Sequence, residues 1–242
     1  MFNRISSIIL AVLLFLVMVA NDPVSHIRFF YPYLFFGSIF LIIVITLAIN
    51  IKRLNFTWPH LLLPTIYLLA TFSSFALIGS APLRLFFVTV AAIVFYFVEN
   101  KLGKESHFLQ NVYLLCTFAL YLGLFAVIFY FNFQIWWLIL FGFGLSYILA
   151  VQGLAGFTLP AKKYFYFLIA LVCTEIIWGL SFWPTHFFVN AVVVFCAFYL
   201  LWLFSFSAFF AKLSWHKVFW QVTLVLIVLF LTLSTAAWRP LR

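Results

Sequence analysis

An all-α transmembrane helical bundle of about nine spans is the fold class that this 242-residue sequence predicts, on three observations. Apolar residues make up 68% of the chain and charged residues 7%, whereas a soluble domain carries about 25% charged residues to cover its surface. Mean hydropathy is +1.26. The apolar residues also gather into nine runs near the length, about 20 residues for about 30 Å of hydrocarbon, that crosses a bilayer as a helix. These features exclude a soluble enzyme, a nucleic-acid-binding domain and a disordered chain. The net charge of +9 is too dispersed to neutralise a phosphate backbone, so no nucleic-acid partner is expected.

The runs follow in order. The first, 5–20, comes after Arg4 and stops at Asn21-Asp22-Pro23. The second, 29–51, ends on Lys52-Arg53, and the third, 59–79, lies between Trp58 and the Ala81-Pro82 break. The fourth, 81–98, carries Arg84 near one end and stops at the Glu99 to His107 stretch. The fifth and sixth, 109–131 and 135–151, flank the short Asn132-Phe133-Gln134 turn. The seventh and eighth, 164–182 and 187–211, flank Trp183-Pro184. Connections this short make each pair antiparallel neighbours. The ninth, 217–237, follows Lys212 and Lys217. Runs 5–20, 81–98 and 135–151 are the shortest. The runs are apolar all round, without the alternation of barrel strands. No internal repeat or linker interrupts them, so residues 1–242 read as a single integral membrane domain.

Basic residues thread the bundle. Lys52, Lys101, Lys104, Lys162, Lys163, Lys212, Lys217, Arg4 and Arg53 fall on one side of a nine-span arrangement; Arg28, Arg84, Arg239 and Arg242 fall on the other. Short cytoplasmic loops carry the Lys/Arg excess, which places the amino terminus in the cytoplasm and the carboxyl terminus outside. The same lysines lie beside lipid headgroups, so anionic lipid is the expected partner at the cytoplasmic face. Trp58, Trp136, Trp137, Trp183, Trp215, Trp220 and Trp238 lie at span ends, the depth an amphipathic ring prefers. The first span resembles a signal peptide, but Met18 stands at the minus-three position of a cleavage after Ala20, where a small residue is wanted. It is therefore expected to be retained.

Glu175 carries the most chemical information. It lies eleven residues past Tyr164, about 16 Å along a helix and near the bilayer midplane. A charged carboxylate there costs at least about 2.5–3.5 kcal/mol. Protonation, or a partner on another helix, relieves that cost. Trp178 follows at i+3 on the same face, and Asn190 on the next span reaches a similar depth from the opposite side. Glu175, Trp178 and Asn190 form the candidate intramembrane polar site. They are either a hydrogen-bonded packing contact or a proton- or ligand-binding group.

The remaining motifs are structural. His26, His60, His107, His186 and His216 lack ligand spacing, so no metal is expected. Cys116, Cys173 and Cys196 sit singly within apolar runs and form no CxxC pair. Gly142, Gly144 and Ser146 make the sixth span a site of close helix packing. The loop Gln152-Gly153-Leu154-Ala155-Gly156-Phe157 lacks the Gly-Lys-Ser/Thr ending of a phosphate loop. Asp22, Glu99 and Glu105 are split across both sides and assemble no magnesium site. The 36 phenylalanines have no polar anchors beside them to orient a quinone or carotenoid, and no cofactor is expected.

Glu175-x-x-Trp178-x-Leu180-x-Phe182-x-Pro184, with Trp238-Arg239-Pro240, resembles uncharacterised bacterial multi-pass membrane proteins grouped as a domain of unknown function. The resemblance covers about the last third of the chain, implies a bacterial plasma membrane as the location, and implies no activity. The functional expectation is a non-enzymatic membrane protein, either an assembly or scaffold subunit or a binder of lipid or another apolar ligand. Within the membrane it has a protein partner or a second copy as an expected neighbour. The alternative is a small transporter using Glu175 at the midplane, where transporter sites commonly lie.

Overall fold

The computed structural model describes residues 2–21, 31–54, 58–103, 106–131, 134–155, 162–183, 185–210 and 215–236. Asp22-Pro23, Lys104, Glu105, Pro184, Lys212 and Trp238-Arg239-Pro240 lie outside them. So do the side chains of Arg4, Arg53, Trp58, His60, Trp215 and Lys217.

The described residues are helical throughout, with no strand. In chain order the helices are α1 (Phe2–Ala20), α2 (Tyr31–Leu54), α3 (Trp58–Leu77), α4 (Ala81–Lys101), α5 (His107–Phe131), α6 (Ile135–Gly153), α7 (Lys162–Leu180), α8 (Phe187–Phe210) and α9 (Trp215–Thr235). Each lies within three residues of one expected run. Seven are long and apolar enough to cross a membrane: Phe35–Lys52 in α2, all of α4, α5, α6 and α7, Phe187–Ser207 in α8 and Val218–Thr235 in α9. Ile5–Ala20 and Leu61–Leu77 are shorter apolar helices. The chain is thus a multi-pass helical membrane protein by length and composition.

The helices start and stop for local reasons. Pro82 sits at the start of α4, where a missing N–H breaks no helical bond, and Gly103 follows its end with φ 81°, a left-handed conformation glycine adopts freely. Ser106 accepts the Phe108 N–H at 3.2 Å and caps α5. The His186 ring does the same for α8 through the Phe188 N–H, at 3.3 Å.

The chain divides into two compact units, Met1–Leu120 and Tyr121–Arg242. In the first, α1 packs mainly on α4 and α2 on α3, with α3–α4 and α1–α2 contacts completing the group. Tyr67 joins α3 to α4: its hydroxyl donates to the Ala91 carbonyl at 2.7 Å, and its ring stacks on Phe95 at 5.4 Å. In the second unit α6 lies along α7, α7 and α9 each contact α8, and α8 touches α6. The α6–α7 seam is tight at one of the two expected glycines, Gly142, whereas Gly144 faces open space. A Cβ on Gly142 would come within 2.9 Å of Ile177 Cδ1. Tyr121 and Ser146 share a 2.9 Å hydrogen bond between α5 and α6.

Candidate functional site

The three residues of the expected polar site do not form one cluster. Glu175 lies on the exposed face of α7, and Trp178, one turn on, is 51% exposed. Asn190 is buried at the start of α8, where its Oδ1 accepts a 2.6 Å hydrogen bond from Thr185. Its amide therefore fastens the turn entering α8. No hydrogen bond links it to Glu175 among the described residues, and Trp178 meets Phe182 edge-on at 5.5 Å.

A different acidic residue is the buried one. Glu99, counted in the sequence as the start of a connection, lies inside α4 with 0% of its surface exposed. Its Oε1 accepts a 3.0 Å hydrogen bond from Asn50 Nδ2 of α2. Asn50 is 1% exposed, and Thr46, one turn earlier on the same face, is equally buried. Thr65, Thr71, Thr89, Thr117 and Thr174 each donate to the carbonyl four residues back. Thr46 does not, and its Oγ1 and the Asn50 Oδ1 have no hydrogen-bond partner among the described residues. The result is a compact oxygen-rich set at the matching ends of two helices. It polarises its surroundings and holds α2 to α4, since buried polar groups gain most from one another when water is excluded.

The apolar run ended at Val98, and that hid Glu99. The available signal was Thr46 and Asn50, spaced by four within an otherwise apolar run, which marks a helix face needing a polar neighbour.

The third feature is a groove of about 450 Å³ along the α1–α4 seam. Ile8, Ala11, Val12 and Phe15 recur at helical spacing on α1, and Ala92, Ile93, Tyr96 and Phe97 answer on α4. The two alanines are its smallest lining residues. Thr89 also lines it, but its hydroxyl donates to the Leu85 carbonyl at 2.9 Å. The wall is therefore apolar throughout. Tyr96 is one turn before Glu99, so the groove runs towards the end of α4 that carries Lys101, whose ammonium sits 4.6 Å from the Phe108 ring centre.

Among the described residues no group of three His, Cys, Asp or Glu converges on a point. Cys116, Cys173 and Cys196 are buried and unpaired. No family model, no curated protein and no solved structure matches this chain.

Proposed function

We propose that this is a non-enzymatic integral membrane protein of nine spans that binds lipid by seating an acyl chain in the α1–α4 groove. Its amino terminus is cytoplasmic and its carboxyl terminus is outside. The groove carries this reading. Its volume falls within the range of small-molecule sites, about 300–1,000 Å³, and its walls offer a ligand nothing to hydrogen-bond. An acyl chain needs nothing more, and a polar substrate would lose its water there without compensation. The lysines expected on the cytoplasmic side would favour an anionic headgroup at the groove's Lys101 end.

The test is reconstitution of the full chain with a phospholipid carrying a photoactivatable acyl chain, followed by peptide mapping. Labelling should concentrate on α1 and α4. Filling the groove with Ala11→Phe and Ala92→Phe should cut that labelling several-fold and leave Leu224 on the exposed face of α9 labelled as before. Labelling spread evenly over all outward faces would defeat the proposal.

A further inference from the structure

Along α7, Tyr164, Leu168, Leu171, Glu175 and Trp178 are all exposed, as is Phe182 in the turn that follows. Their spacing alternates four and three residues, the repeat that keeps one stripe of a helix turned towards a second helix. Tyr166, Ile169, Cys173 and Ile177 form the opposite, buried stripe against the rest of the unit. Any face of a helix shows that spacing, but a surface meeting only lipid needs no polar group. This one carries two at its centre.

Glu175 offers carboxyl oxygens and Trp178 a donor-only indole N–H, and neither side chain makes a hydrogen bond among the described residues. They lie one turn apart on the same stripe, about 12 Å or less from the level of Trp183. At that depth there is no water to satisfy them. The chain supplies no cation there either: every Lys and Arg lies in a connection or within about one turn of a helix end.

We infer that α7 is the interface between two copies of this chain, with Glu175 of each copy accepting a hydrogen bond from Trp178 of the other. A two-fold axis makes contacts reciprocal, so a residue pair i and j on one stripe satisfies itself twice. An acceptor and a donor one turn apart are therefore complementary to their own copy. This pairing works with the carboxyl group in either protonation state, because the indole always donates.

The experiment places a photo-crosslinking amino acid at Leu171, on the stripe, or at Leu224, exposed on α9, in the full chain in native membranes. Leu171 should yield a covalent dimer and Leu224 should not. Glu175→Leu and Trp178→Phe should each lower the yield roughly ten-fold, the product of two interhelical hydrogen bonds of modest individual strength. Together they should lower it no further than either alone. Glu175→Gln keeps an acceptor oxygen and should retain the dimer. Thermal unfolding in detergent reports whether each variant folds, and Gln serves where Leu does not. A monomeric mass for the wild-type chain from native membranes, equal yields from Leu171 and Leu224, or full yield from Glu175→Leu would each overturn the inference.

Discussion

Asn50 and Glu99 come from helices that are otherwise almost wholly apolar, so each is the other's most valuable neighbour. Removing one leaves a buried polar group with fewer partners, which costs more than the bond itself contributed. Asn50→Leu should therefore destabilise the protein by about 1–2 kcal/mol, and Glu99→Leu by a similar amount. Glu99→Gln retains the acceptor oxygen and should fall below about 0.5 kcal/mol. The double leucine variant should be less damaged than the sum, with a coupling of about 1 kcal/mol, because the bond between the two groups can be lost only once. Unfolding in detergent measures all four. Strict additivity would mean that the 3.0 Å bond contributes nothing.

At the scale of the helix, the α6–α7 seam depends on the missing side chain at Gly142. The nearest atom to an added Cβ is the end of Ile177, which moves more readily than backbone. Gly142→Ala should thus cost little, whereas Gly142→Leu should cost about 1–3 kcal/mol as an overpacked contact. Ile177→Val deletes the Cδ1 that sits at 2.9 Å and should restore much of the loss in a Gly142→Ala background. Thermal stability of the single and double variants decides it, and a double variant worse than both singles would place the constraint elsewhere. The glycine and its purpose were legible in the sequence, because small residues within an apolar span mean close helices. The direction each helix faces was not. Phe95 is 0% exposed and Phe97 43%, yet both are phenylalanines in one apolar run. Lipid and protein interior are alike apolar, so hydropathy locates a span without saying which side meets a neighbour. The same ambiguity let Glu99 read as a loop residue, since its face is set by packing that leaves little periodic trace.

For the whole chain, the sidedness of nine spans rests on parity. α1 and α3 are the shorter apolar helices, so the count turns on them. If α3 did not cross, Lys52 at the end of α2 and Lys101 at the end of α4 would lie on opposite sides, and the basic asymmetry of nine to four would fall to seven to six. If α1 did not cross, the lysines would keep their common side and only the amino terminus would move. The basic asymmetry therefore argues strongly for α3 and is nearly silent about α1, whose evidence is Arg4 and its own apolar length. Reporters separate the cases. A cytoplasm-active reporter after Arg242 should be dark, and one inserted beside Lys212 should be bright. A reporter active only outside should give the reverse. A bright signal from both cytoplasm-active fusions would mean that α9 does not cross. A reversed pattern would turn the lysines outward and contradict the charge rule on which the threading depends. A third fusion, placed ahead of Phe2, isolates α1: cytoplasmic activity there together with a dark carboxyl terminus requires an odd number of crossings, and nine is the odd number that keeps every lysine on one side.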